Sequence, residues 1–308
     1  MRRKEKQQAS HARPRRIPPA GRLAVFLAAL AAGLLLGGGA LFSEELEATF
    51  YHVYSPKIAA GETVRTVVLS DLHNREFGPE NAELVEQIQV LEPDIIAIAG
   101  DMVNADEGSL AVVLGLCEKL VGIAPVYYSP GNHESNLMYE QGVPIESQLS
   151  QLGVHVLVNR AEEAVIHKTS FLIGGLTTAP EGYEEYGAAF FAEYEKSPAF
   201  KLLISHYPSL YYDALADARV DLGICGHYHG GQARLPGVGG LYHVDTGFFP
   251  KYSGGMYQLA NSTVFVSRGM GGHNGFPRIN NRPELAVIDI NGRQDTDLSY
   301  PCLVYTSP

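Results

Sequence analysis

Five short clusters of Asp, His and Asn stand out in this sequence of 308 residues. They are Asp71-Leu72-His73, Gly100-Asp101, Gly131-Asn132-His133-Glu134, a single His206, and Gly226-His227-Tyr228-His229. Imidazole nitrogens and carboxylate oxygens are the usual ligands of borderline and hard divalent cations, and an Asn carbonyl adds another oxygen. The Asp-x-His and His-x-His spacings put two ligands on the same side of a short extended segment. Glycines beside them let the chain turn tightly under an ion. Taken singly, the clusters say little. A Gly-Asp is usually a turn, a lone His is usually a hydrogen-bonded structural residue, and His-x-His recurs by chance. In this order, chance is a poor account of them.

The elements that must position the clusters are short apolar runs. Thr63–Ser70, Asp94–Ala99, Val126–Ser129, Phe171–Gly174, Leu202–Ser205 and Leu222–Cys225 are predicted strands. Asn81–Leu91, Ser109–Val121, Ile145–Leu152 and Tyr211–Ala216 between them are predicted helices. This alternation points to α/β layering. Each cluster follows the end of a strand, where ligands collect in open α/β sheets, so the five are expected to converge. The C-terminal third changes character: Gly240–Val244, Thr263–Ser267 and Leu285–Ile290 read as strands between Gly/Pro loops.

An apolar content of 45% with 19% charged residues suits a globular domain with a sizeable core. Net charge is −11, unevenly spread. Residues 1–22 hold eight Lys/Arg against one acid, Glu5, which leaves −18 on the rest. So acidic a domain is a poor partner for nucleic acid, whose binding rests on phosphate neutralisation by Lys/Arg. Cys117, Cys225 and Cys302 form no disulfide framework, and the first two read as small buried hydrophobes.

Leu23 to Phe42 carries no charge. A helix of that length spans about 30 Å, the thickness of a bilayer's hydrocarbon core. Basic residues before it and Glu44-Glu45 after it put the N-terminus in the cytoplasm and the rest outside. Residues 1–22 are then a basic tail, 23–43 a transmembrane signal anchor, 44–60 a linker and 61–308 the catalytic domain. A cleaved signal peptide is the competing expectation, with Gly37-Gly38-Gly39-Ala40 offering small residues to a peptidase.

The ordered motif D-x-H, G-D, G-N-H-[DE], H, G-H-x-H resembles the signature of the calcineurin-like metallophosphoesterase superfamily. The segments Ser267-Arg268-Gly269-Met270-Gly271, Pro277-Arg278 and Asn281-Arg282-Pro283-Glu284-Leu285 resemble its membrane-associated bacterial phosphodiesterase-like branch. The resemblance implies a four-layer α/β/β/α sandwich with two central mixed β-sheets. It also implies a binuclear centre. Asp71, His73 and His229 would hold one metal and Asn132, His206 and His227 the other, with Asp101 bridging. Mn2+, Fe2+/Fe3+, Zn2+, Mg2+ and Ni2+ all tolerate such ligands. A metal-bridging hydroxide would attack a phosphomonoester or phosphodiester in line, and His133 would face the substrate as the acid.

Extracytoplasmic placement suggests envelope, lipid or nucleotide substrates, and no protein partner can be inferred. Glu134 either orients a neighbour or is a plain surface carboxylate. Asn74, Tyr228, Arg268 and Arg278 are candidates for substrate contact or for structure, and the Gly-rich stretch 269–275 with His273 for a loop over the site. The aromatic stretch Gly182–Tyr194 fits core packing or a membrane-facing surface. Two other classes compete. A catalytically silent metal-binding docking module would have lost ligands, and none is lost. A peptidase would carry His-Glu-x-x-His, and His133-Glu134 lacks the second histidine.

Overall fold

A computed structural model describes residues 44–272 and 277–292, and the backbone of 305–306. The basic tail and the 23–43 span lie outside the described residues. Among the described ones, no helix is long and apolar enough to cross a membrane.

Two mixed sheets organise the domain. The first runs from Tyr305–Thr306 (β17) through Glu47–Ser55 (β1), Glu284–Gly292 (β16), Thr63–Leu69 (β2), Ile95–Ile98 (β3) and Val126–Tyr128 (β4) to His155–Val156 (β5). β2, β3, β4 and β5 are mutually parallel, while β16 pairs antiparallel with β2 and parallel with β1. The second sheet runs from Gly255–Gln258 (β14) through Thr263–Val266 (β15), Leu222–Cys225 (β9), Phe200–Ile204 (β8) and Thr169–Gly175 (β7) to Arg160–Ile166 (β6). Its four inner strands are parallel and its two edge strands antiparallel.

Inner strands such as β3, β8 and β9 are buried on both faces because both are covered. In β3, Ile95 and Ala97 join the core between the sheets, while Ile96 and Ile98 join the core beneath the helices. Phe171, Leu202, Ile204 and Ile224 of the second sheet complete the inter-sheet core. Ala82–Val90 (α1), Ala111–Leu120 (α2) and Ile145–Gln151 (α4) cover the outer face of the first sheet; the short Asn132–Ser135 (α3) opens the loop after β4. α2 buries Val113, Leu116, Cys117 and Leu120, the i, i+3, i+4, i+7 stripe of an amphipathic helix. Ala188–Tyr194 (α5) and Pro208–Tyr212 (α6) cover the second sheet. Each fully buried Leu, Ile or Phe contributes about 1.5–3 kcal/mol, so both layers are strongly fixed.

Several expectations need correction. The stretch 44–60 is not a linker. Most of it is β1, nine residues paired parallel with β16, and Tyr51 and Val53 are buried between the sheets. Its partner lies over two hundred residues away, so local pattern could not reveal the pairing. The helix expected at Tyr211–Ala216 lies earlier, at Pro208–Tyr212, because Pro208 sets the first turn. The strand expected at Gly240–Val244 is broken into pieces of two small hairpins: Arg234–Leu235 (β10) with Gly239–Gly240 (β11), and Tyr242–His243 (β12) with Gly247–Phe248 (β13). In the aromatic stretch, Tyr183, Phe191 and Tyr194 are core residues, whereas Tyr186 is exposed.

Candidate metal centre

The donor residues come from loops at the carboxyl ends of five parallel strands. β2 delivers Asp71 and His73, β3 Asp101, β4 Asn132 and His133, β8 His206, and β9 His227 and His229. These strands are neighbours within each sheet, so two packed sheet ends form one floor. The loops are stitched together by backbone bonds: Asp71, His73 and Asn74 donate to the carbonyls of Gly100, Asp101 and Met102.

Tight turns are needed to aim these side chains. Asp71, His73, Asp101, His227 and His229 all have φ between 45° and 71°. That left-handed region is disfavoured for residues with a Cβ and is held only where the surroundings over-determine it. Glycines make room. A Cβ on Gly131 would meet the Asp101 backbone nitrogen at 2.7 Å, and one on Gly226 would collide with Ser70 and Asp71.

The geometry gathers the donors into overlapping groups. Ligand atoms of Asp71, His73 and His229 lie within 4.8 Å of one another. So do those of Asp101, His206 and His227, and those of His73, Asp101 and His133. Nε2 of His73 faces Nε2 of His229 at 3.3 Å, and Nδ1 of His227 faces Nε2 of His206 at 3.2 Å. Asp101 Oδ2 lies 3.0 Å from His206 Nε2. Asn132 lines the same cleft, and its buried Oδ1 has no hydrogen-bond donor among the described residues.

Outer partners fix which ring nitrogen faces inward. His73 Nδ1 donates to Asn104 Oδ1 at 2.9 Å, and the Asn104 amide is oriented by its own bonds to the His73 carbonyl and Glu107. His206 Nδ1 donates to the Ala99 carbonyl at 2.7 Å, and His227 Nε2 to Asp245 Oδ2 at 2.6 Å. Each ring is left with one nitrogen turned toward the carboxylates. Inward nitrogens, two buried carboxylates and an unsatisfied Asn oxygen form a donor set that suits divalent cations.

The electrostatics agree. Burial alone would lower the His206 imidazole, but the charge and hydrogen bond of Asp101, with Asp71 beyond, raise it to about 10. Burial would lift the Asp101 carboxyl, yet His206, His73 and His133 hold it well below the ordinary carboxylate range. The pocket thus keeps positive charge against Asp101, as a proton on His206 or as a cation that displaces it.

Glu134 is not a surface carboxylate. It is fully buried. Oε2 accepts the Asp101 and Gly131 N–H groups at 2.8 and 2.9 Å; Oε1 accepts the Met102 N–H at 2.7 Å and the Tyr128 hydroxyl at 2.6 Å. His133 Nδ1 accepts the Ala105 N–H at 3.0 Å, so its neutral ring carries the proton on Nε2, 4.0 Å from Asp101 Oδ2. Tyr228 is buried and bonded to Tyr212. Arg268 pairs with Glu47 and Glu284, and Arg278 is buried, donating to the Gly271 and Arg268 carbonyls. These three are structural. Asn74 donates to Glu107. His273 lies outside the described residues. Sequence reasoning missed Asn104, Asp245 and His243, which stands in reach of His227 and Asp245. Single polar residues in loops carry no pattern to find them by.

Comparison with known proteins places the chain in a family. Residues 64–231, more than half the chain, match the calcineurin-like phosphoesterase family. The chain belongs to that family, whose members use divalent metals, and it is a phosphoric ester hydrolase. It is 25% identical to phosphodiesterase YaeI of Escherichia coli, over 86% of this chain and 97% of that one. It is 26% identical to the uncharacterized metallophosphoesterase YkuE of Bacillus subtilis, over 85% and 93% of the two chains. Among solved structures, a 5'-nucleotidase precursor from Thermus thermophilus aligns with 68% of this chain and 49% of its own, at 16% identity and a TM-score of 0.44.

Proposed function

We propose that the chain is a two-metal phosphoesterase in which Asp71, His73 and His229 hold one ion, Asn132, His206 and His227 the other, and Asp101 is shared. The observation that carries this reading is the fixed orientation of the rings. Asn104, the Ala99 carbonyl and Asp245 each take an outer N–H, so the inner nitrogens converge on Asp71 and Asp101. Asp101 falls in reach of His73 on one side and of His206 and His227 on the other, as a shared ligand must.

Divalent ions held by these residues would supply Lewis acidity to activate water and to compensate charge on the phosphoryl oxygens. His133 holds its proton on Nε2 at the edge of the same cleft and would deliver it to the leaving oxygen. Glu134 keeps the loops bearing Asp101 and His133 in register through its bonds to Asp101, Met102 and Gly131. Envelope, lipid and nucleotide phosphoesters are the candidate substrates. The basic tail and the uncharged run Leu23–Phe42 support a membrane-tethered domain facing away from the cytoplasm.

The test is metal reconstitution of the full chain, assayed on p-nitrophenyl phosphate and bis-p-nitrophenyl phosphate. Hydrolysis that tracks loading with two ions is expected, and Asp101→Asn should lose both. A fully loaded protein inert on both esters would sink the hydrolytic reading; a fully loaded Asp101→Asn would sink the sharing. Location is tested by protease access to a C-terminal tag on intact spheroplasts, and complete protection would refute it.

A further inference from the structure

The metal centre opens into a cleft of about 650 Å³, far more than a phosphoryl group fills. Away from the donors and their partners, its wall is mostly Ala233, Leu241, Tyr242, Val244, Pro277 and Ile279, with Gly231 and Gln232 beside them. No lysine or arginine is among the described lining residues. A ligand with further phosphates would need such cations to meet them. The far wall offers apolar surface instead.

The same surface continues outside the cleft. The two hairpins between Arg234 and Phe248 leave Val238 63%, Val244 72% and Phe248 71% exposed, and Phe249, next in the chain, is 56% exposed. Tyr242 and Phe248 face each other across their hairpin with rings 5.1 Å apart, and Phe248 meets Phe249 at 6.3 Å. Side chains of this size exposed together mark a contact surface rather than scattered surface residues. Residues 233–249 contain two charges, Arg234 and Asp245, and the fold engages both. Arg234 donates to the Gly230 and Ser253 carbonyls, and Asp245 accepts from His227. What remains is an uncharged apolar rim beside a phosphoester site. The uncharged run Leu23–Phe42 of the same chain brings a membrane into play.

We propose that the substrate is a phosphoester of a long-chain amphiphile, taken from a lipid surface on which the rim of residues 235–249 rests. The metal centre takes the phosphate, the cleft takes the first apolar segment of the alcohol, and the exposed rim residues lie among neighbouring lipids. This proposal rests on the phosphoesterase reading above.

The test has two arms, both with the metal-loaded full chain. In the first, methyl to octyl p-nitrophenyl phosphodiesters are compared as monomers. kcat/KM should rise at least tenfold along the series, and the rise should flatten to within twofold in the double variant Val244→Asn, Ile279→Asn. In the second, a short-chain phospholipid is followed across its critical micelle concentration. The rate should jump on micelle formation, and Phe248→Ser with Phe249→Ser should cut the jump at least fivefold. Circular dichroism checks that these surface changes leave the fold intact. A flat chain-length series on a protein that cleaves the methyl ester would overturn the cleft assignment. A series that rises without a jump would overturn the lipid-surface source and leave a soluble apolar ester. Loss of all hydrolysis despite bound metal would strike at the phosphoesterase reading itself.

Discussion

Glu134→Gln tests how the centre is held up. Four donors converge on the Glu134 carboxylate: three backbone N–H groups and the Tyr128 hydroxyl. Burial, reinforced by the Glu134 charge, pushes the Tyr128 phenol well above its ordinary value, so it remains a donor. Glutamine keeps one oxygen and places an NH2 where the other stood. With the NH2 toward Asp101 and Gly131, two N–H groups face a donor; turned the other way, the Tyr128 hydroxyl rotates to accept and the Met102 N–H alone loses its partner. Hydrogen bonds to a charged group are worth about 1.5–3 kcal/mol each, so the better orientation costs roughly 1.5–3 kcal/mol for the bond it loses. That is a sizeable share of the ~5–15 kcal/mol stability of a typical domain. At about 2–4 °C per kcal/mol for a domain of this size, the melting temperature should fall by roughly 3–12 °C. The loss should also reach the ligands, because the same carboxylate ties the Asp101 loop to the start of α3. Thermal unfolding with and without chelator, beside metal analysis, reads both effects. A variant that melts within about 2 °C of wild type and binds its full metal complement would refute the reasoning.

Other expectations follow from the same geometry. His133→Asn should lower kcat by about 10²–10⁴-fold while metal content stays near wild type; a parallel loss of metal would move His133 into the ligand set. Asp245→Ala should weaken binding of the ion shared with His227 by about 10–100-fold. Activity should return at saturating metal, and an unchanged affinity in a competition assay would dismiss Asp245. In a Cys302→Ser background, Cys117 and Cys225 should resist thiol reagents until the chain unfolds. Both are fully buried, and burial with the nearby Glu134 charge pushes Cys117 up to about 12. Modification of the native chain at a rate independent of its stability would contradict that.

The donors were legible because each metal-type residue follows a run of β-branched and aliphatic residues. Strand ends in such a sheet have only one side on which to collect. The strands bearing the donors were legible for the same reason: burial on both faces makes β3, β8, β9 and the end of β2 near-continuously apolar. β1 was not, since Glu47–Ser55 mixes polar and aromatic residues and gains its place from a partner at Glu284–Gly292. The roles of Glu134, Asn104 and Asp245 were hidden for a related reason. What each does depends on a donor or ring from another loop, and no spacing along the chain records that. The hairpins at 234–248 were blurred by two-residue strands, too short for any periodicity.

The division of the donors between the sheets bears on how the protein is made. The first sheet supplies Asp71, His73, Asp101 and Asn132; the second supplies His206, His227 and His229. Neither half holds a complete set for either proposed ion. A nascent chain therefore has no finished centre until residue 229 has emerged and the second sheet has docked on the first. On the two-ion reading, metal acquisition would be a late checkpoint on biosynthesis, one that truncated or half-assembled chains would fail.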